Sequence, residues 1–381
     1  MSWKKVCVKD VALGIFDGPH ATPPEADSGA IFLGIPNFVN GQLDLSDIRY
    51  ISEDDLPKWT RRVVPQENDI VFSYEATLNL YAIIPKGFRG CLGRRMALIR
   101  PDNEKINYKF LYYYFYSKAW RDIISENTVL GATVDRIPLV KFPNFEIELP
   151  PVKTQNRIAD ILSAYDNLIE NNQKQIKLLE EAAQRLYKEW FVDFRFPRYE
   201  TTPIIDGVPQ GWRKATLGDV APILTGKKDA NFGTEDGMYP FFTCSQEPIK
   251  APSYSFDTSA VILAGNGDFN VKLYRGRFEA YQRTYVLSPN DDKYLYLLYN
   301  AVNESMAVLV KGASGSTIKF LTKGMIESIP LFIPTDDLLT QYNSYSETVQ
   351  EKLESLKKVI KNAAEARDRL LPKLMSGELE V

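Results

Sequence analysis

The chain has 381 residues, of which 44 % are hydrophobic and 25 % charged, enough for two or three domains with real cores. Its net charge of −3 excludes a uniformly basic nucleic-acid coat but not local basic faces. No apolar run approaches the ~18 residues of a membrane span, and MSWKKVCVKD lacks the apolar centre of a signal peptide, so no membrane contact and a cytoplasmic location are expected.

Taken in chain order, the first feature is WKKVCVKDVA from Trp3. The loop DGPHATPP, Asp17 to Pro24, follows and holds the one histidine, which has no partners for a catalytic triad. From Lys58 to Arg100 there are eight basic residues against Glu67, Asp69 and Glu75. Within that run IVFSY from Ile70 reads as a strand, and YKFLYYYFYSKAWRDII from Tyr108 as one helix whose aromatics pack a core. The loop VLGATVDR precedes Pro150 and Pro151, which are the start signal of a long helix. Leu162 to Phe191 runs thirty residues without Gly or Pro. Its end is marked by WFVDFRF and Pro197. WRKATLGDVA from Trp212 comes next, then a strand AVILA from Ala260. A stretch with Lys272, Arg275, Arg277 and Arg283 against Asp268 and Glu279 leads to a helix, KYLYLLYNAV from Lys293. GASGSTIK and then Pro334 and Thr335 introduce a second long helix, with Gly377 as its C-terminal stop. Cys7, Cys91 and Cys244 have no metal or disulfide spacing and are expected to be buried free thiols.

These features repeat. Trp3 and Trp212 head matching segments offset by 209; Gly131 and Gly315 head GATVD and GSTIK, offset by 184; Arg89, Arg95 and Pro101 match Arg277, Arg283 and Pro289, offset by 188. The first long helix has an apolar seam in steps of four and three: Ile158, Leu162, Tyr165, Ile169, Asn172, Ile176, Leu179, Ala183, Leu186 and Trp190. Adding 184 gives Tyr342, Ser346, Val349, Leu353, Leu356, Ile360, Ala363, Arg367, Leu370 and Leu374. The simplest packing is antiparallel, with Ile158 opposite Leu374, Trp190 opposite Tyr342, Leu179 opposite Leu353 and Tyr165 opposite Arg367. At 1.5 Å per residue the seam from Ile158 to Trp190 rises about 48 Å, somewhat more than the ~34–36 Å between DNA half-sites read from one face. The expected molecule is a caliper: two similar heads held apart by a rod.

Catalytic motifs are missing. The sequence has no phosphate loop, no dinucleotide glycine motif and no Asn-Pro-Pro-aromatic box for gripping a flipped base. Pro101-Asp102 resembles half of a nuclease carboxylate motif but has no acidic-x-Lys partner.

The chain resembles the specificity subunits of type I restriction-modification systems. The resemblance is carried by the Trp-headed segments, DGPHATP, GATVDRIPL, GSTIKFLTKGMIESIPL, ELPPVKTQNRIADILSAYDNLIENN, RLYKEWFVDFRFP and RLLPKLMSGELEV. It implies an α+β architecture: two similar mixed α/β target recognition domains separated by two long antiparallel coiled-coil helices, in a pseudo-twofold internal repeat. The expected bounds are 1–150 and 201–333 for the domains, 151–200 and 334–381 for the helices. It also implies that each domain binds half of a bipartite site in double-stranded DNA. The helices would set the spacer and dock two methyltransferase subunits, and motor-nuclease subunits would complete the complex. S-adenosylmethionine would be bound by the methyltransferase, no cofactor by this chain, and no catalytic residue or metal would lie here.

Local charge, repeat position and loop context select Arg61, Arg62, Arg94 and Arg95 as DNA contacts in the first head, and Lys227, Lys228, Arg283 and Lys319 in the second. Thr133 and Thr317 are the paired hydroxyls. Ile158, Leu162, Tyr165, Ile169, Leu179, Leu353, Leu356, Ile360 and Leu370 are assigned to the seam and to partner docking. Two rivals remain: a chain that both recognises and methylates DNA, and a coiled-coil adaptor with no DNA role.

Overall fold

The computed structural model describes residues 3–131, 134–313, 315 and 319–381, so the expected contacts Thr133 and Thr317 lie outside the described residues. Two compact units make up the chain: Met1–Asn171 together with Val359–Val381, and Asn172–Lys358.

The first unit holds strands β1 (Lys4–Cys7), β2 (Ala12–Asp17), β3 (Ala30–Leu33), β4 (Arg49–Ile51), β5 (Ile70–Ser73), β6 (Tyr81–Ile83), β7 (Gly90–Leu92) and β8 (Met96–Pro101). Helices α1 (Tyr108–Tyr114) and α2 (Lys118–Asn127) and strand β9 (Glu146–Leu149) follow. The central sheet has the order β2-β8-β5-β6, a second sheet the order β4-β3-β7, and β1 pairs with β9. Every residue of β5 is buried, as its unbroken IVFS suggests. The expected single helix from Tyr108 is two helices. Ser117 ends the first turn system and caps the next, its hydroxyl accepting from the Trp120 N–H at 3.2 Å. The aromatic run is core: Trp120 is fully buried, donates from its indole Nε1 to the Tyr81 hydroxyl at 2.8 Å, and packs among Tyr114, Phe115, Phe142 and Phe145.

The second unit repeats the plan. Its strands are β10 (Arg213–Thr216), β11 (Ile223–Thr225), β12 (Tyr239–Phe242), β13 (Ile249–Ala251), β14 (Phe256–Ala264), β15 (Val271–Ala280), β16 (Thr284–Leu287) and β17 (Pro330–Ile333). They form one sheet of order β11-β16-β14-β15-β12-β13 and a β10-β17 pair. The long β15 does here what β6 and β7 do separately in the first unit. It pairs antiparallel with β14 along its length and parallel with β12 at its end, as β7 pairs parallel with β3. Leu295–Gly312 is the helix expected from Lys293, preceded by a 3₁₀ turn.

The two long helices span Val152–Tyr187 and Asp336–Met375. Five residues of π-helix, Lys188–Val192, extend the first; Gly377 follows the second at φ 72°. None of the twenty seam positions is exposed. In the first unit Ile158, Leu162, Leu374 and Met375 share one core with Trp120. In the second, the Trp190 ring lies 5.9 Å from that of Tyr342. Within each unit, therefore, the start of one helix packs on the end of the other, as the antiparallel register requires. Arg367 does not break this seam: its Nη1 donates to Asp166 Oδ1 at 2.6 Å, one residue from the expected Tyr165. The Tyr113 hydroxyl donates to the other oxygen of the same carboxylate. Cys91 is buried, and burial pushes its thiol up to about 12. Cys7 and Cys244 are free but only half-buried, so the expectation of three buried thiols holds for one.

Candidate DNA interface

Antiparallel register brings four segments of the first head to one end of its central sheet. Asp17 pairs with Ala97, Met96 with Ser73, and Phe72 with Tyr81. That end gathers the Asp17–His20 turn, the Gly93–Arg95 turn, the loop after Ser73 and the segment around Arg136. The last is held there by backbone hydrogen bonds from Ile137 to Tyr74 at 2.8 Å and from Ala76 to Asp135 at 3.0 Å. Gly18 is required where it stands. A Cβ there would lie 2.3 Å from the Gly93 carbonyl oxygen, and the Gly18 N–H donates to Met96 at 2.8 Å.

The charges at this end are organised around a carboxylate. Asp17 Oδ2 accepts from Arg62 Nη1 at 2.5 Å and lies 3.0 Å from His20 Nε2. Arg62 Nη1 also donates to the Gly18 carbonyl at 3.3 Å. Tyr74 is buried beside them, its hydroxyl donating to the Arg94 carbonyl at 3.2 Å. Burial, then the charges of Asp17 and Glu75, push that phenol up to about 12, while Arg62 and Arg94 pull it back. Arg95 lies 3.9 Å from Glu75, with its Nε buried and without a hydrogen bond. Arg61 and Arg94 are exposed and make no ion pair among the described residues. Arg62, Arg94 and Arg95 therefore converge, and Arg61 adjoins them in the chain.

The second head builds the same end from different side chains. Thr225 pairs with Tyr285, Ala264 with Thr284 and Leu263 with Val271. Lys227 and Lys228 leave β11 there, and Arg283 enters β16. Lys319 precedes Phe320, which bridges to Asn266 in the β14–β15 turn. Gly226 matches Gly18: a Cβ would sit 1.9 Å from the Ala280 carbonyl oxygen. Lys227, Arg283 and Lys319 are exposed, and Lys228 stands 4.4 Å over the Phe232 ring. All four selected cations of this head meet at one sheet end.

Other basic residues in the two charged runs are occupied elsewhere. Arg100 makes a bidentate pair with Asp69 at 2.8 and 2.7 Å, and Arg89 pairs with Glu53. Arg277 pairs with Asp257 at 3.0 Å and Arg275 with Glu347 at 3.3 Å. Conversely, several polar residues at these ends were missed in the sequence. Arg136 is exposed beside Glu75. Asn266 accepts from the Cys244 thiol at 2.9 Å, Gln246 donates to Asp268 at 2.7 Å, and Gln282 donates to Asp229 at 2.6 Å. Lys272, which the basic run already contained, donates to the Ser245 carbonyl at 2.7 Å, and burial lowers its pKa. Amides carry no charge signal; Gln282 adjoins Arg283 in the chain, and the fold brings Asn266 and Gln246 to the same sheet end. Asn and Gln side chains of this kind suit adenine edges, as Arg suits guanine.

Among the described residues no group of three or more His, Cys, Asp and Glu is placed to hold a metal ion, and no helix is long and apolar enough to cross a membrane. Residues 2–181 and 209–361 match the sequence profile of the family described as "Type I restriction modification DNA specificity domain". The specificity subunit of the type I restriction enzyme EcoDI of Escherichia coli is 38% identical over 183 residues, which are 45% of this chain and 39% of that one. That of MjaIX of Methanocaldococcus jannaschii is 25% identical over 361 residues, 87% of this chain and 82% of that one. A crystal structure of a type I restriction-modification S subunit from M. genitalium has the same fold, with a TM-score of 0.62, 16% identity and coverage of 98% of this chain and 96% of that one.

Proposed function

The chain belongs to the type I restriction-modification DNA specificity family, and from that premise we propose that each head reads one half of a bipartite sequence in double-stranded DNA. The observation that carries this reading is the convergence of cations at the same sheet end of both heads: Arg62, Arg94 and Arg95 in one, Lys227, Lys228, Arg283 and Lys319 in the other. Exposed Lys and Arg on turns reach phosphates, and Arg can hold guanine bidentately. The specificity subunit is the non-catalytic member of such a system. Methylation of adenine therefore falls to methyltransferase subunits that bring S-adenosylmethionine, and cleavage to motor-nuclease subunits. The two long helices serve as the spacer and the docking surface for the methyltransferases, in the cytoplasm.

The test is long-read methylation mapping of DNA from cells expressing this chain with its methyltransferase subunit, against cells lacking the chain. The expected result is a methylated-adenine motif of two blocks around a fixed gap, lost without the chain. A methyltransferase that is active and expressed, yet yields no bipartite motif, overturns the proposal.

A further inference from the structure

We propose that Asp17 is a positioning residue that fixes the direction of Arg62 for base reading by the first head; this rests on the DNA-reading function above. A carboxylate at a surface that meets phosphate is unfavourable by itself. Asp17 is nonetheless placed there rigidly, as the last residue of β2 paired with Ala97. Its side chain is 27% exposed, and its Oδ2 alone takes both Arg62 Nη1 at 2.5 Å and His20 Nε2 at 3.0 Å. Arg62 is half exposed, yet a second acceptor, the Gly18 carbonyl, holds the same Nη1. Gly18 is in turn locked against Gly93 by the close approach that only glycine permits.

The fold does not need this carboxylate. In the second head the strand that corresponds to β2 ends in Thr225, again followed by a glycine pressed against backbone, and the sheet end is built all the same. What the carboxylate adds is direction. It engages Nη1 and leaves the Nη2–Nε edge of the guanidinium to meet a base, while removing the swing of a long side chain. An untethered Arg binds phosphate in many orientations; a tethered one discriminates among base edges.

The experiment selects from a randomised DNA duplex library with the purified complex of this chain and its methyltransferase subunit. The wild type is compared with Asp17→Asn, Arg62→Ala and the double variant. Arg62→Ala identifies the block read by the first head. Asp17→Asn is expected to lower discrimination at one position of that block by about tenfold, to leave the other block unchanged, and to raise affinity for random-sequence duplex, because a negative charge is gone. In the Arg62→Ala background, Asp17→Asn should have no further effect at that position. The proposal is overturned if Asp17→Asn leaves the block intact. It is equally overturned if its effect persists in full without Arg62, or if the block vanishes together with weaker non-specific binding, which marks a purely structural role. If the wild-type complex itself selects no two-block sequence, the DNA-reading function fails first, and this inference with it.

Discussion

Arg94 and Arg100 stand six residues apart in one basic run, and their roles should separate cleanly on substitution. Asp69 is 2% exposed and takes both Nε and Nη2 of Arg100, with the Gln66 N–H as a third donor at 2.7 Å. Arg100→Met keeps the stem but strands a buried charge. Breaking a buried pair on one side costs about 3–5 kcal/mol. Arg100 retains 23% exposure, so water reaches the pair and the lower figure, about 3 kcal/mol, applies. Since each 1.4 kcal/mol is tenfold, amides of β5 and β8 that exchange through opening of the first head should do so about 150-fold faster, read by hydrogen exchange and mass spectrometry. Arg94→Ala, from an exposed position without an ion pair, should leave that exchange unchanged and weaken DNA binding of the methyltransferase complex. If Arg100→Met left exchange untouched while abolishing recognition, or if Arg94→Ala destabilised the sheet, the sorting of this run into structural and DNA-facing residues would be wrong.

Gly226→Ala forces a Cβ to within 1.9 Å of the Ala280 carbonyl oxygen, at a cost of about 1–3 kcal/mol. It should degrade only the block read through Lys227 and Lys228, in the duplex selection described above. Gly324→Ala, with open space around its Cβ, is the control that should change neither block. Arg367→Ala leaves Asp166 with the Tyr113 hydroxyl as its partner, and losing a charge-assisted hydrogen bond of this kind costs about 2 kcal/mol. The ends of the two helices in the first unit should exchange faster, while core amides near Trp212 keep their protection. Asp219 accepts from the Thr216 N–H at 2.7 Å and hydroxyl at 2.9 Å, and the backbone bond, then the hydroxyl, lower its pKa. A lowered folded pKa means the contribution is complete above the ordinary carboxylate range and is lost as pH falls through the lowered value. Asp219→Asn should therefore flatten the acid limb of a pH series of exchange rates at Leu217–Val220, and an unchanged limb would show that Asp219 contributes nothing to it.

The helices were legible because one inward face imposes its period on the sequence, and no seam position is exposed. Arg367 is the one charged residue among the twenty seam positions. Periodicity cannot register a charge whose partner, Asp166, lies 201 residues away. The break at Ser117 was hidden for a different reason. The aromatics on either side all face one core, so the apolar pattern continues through the cap. Charge density pointed to turns that the fold gathers at one sheet end in each head, but could not tell Arg94 from Arg100. That distinction belongs to the fold, which leaves Arg94 exposed in a turn and lays Arg100, on β8, onto Asp69. The amides around Asn266 had no sequence signal at all.

The two heads share backbone devices and differ in side chains, and that division has a consequence for the target. Gly18 and Gly226 make the same close approach to neighbouring backbone, and the strand pairings around them correspond. Such shared features set where a sheet end can meet a groove. Yet the residues presented there are unlike: Asp17, His20 and Arg62 on one head, Lys227, Lys228 and a cluster of amides on the other. Base identity is read by donor and acceptor pattern, not by backbone position. A repeat that kept the chemistry as well as the fold would call for a palindrome. This one keeps only the fold, so the two blocks of its site should differ in sequence, and the site should have a direction.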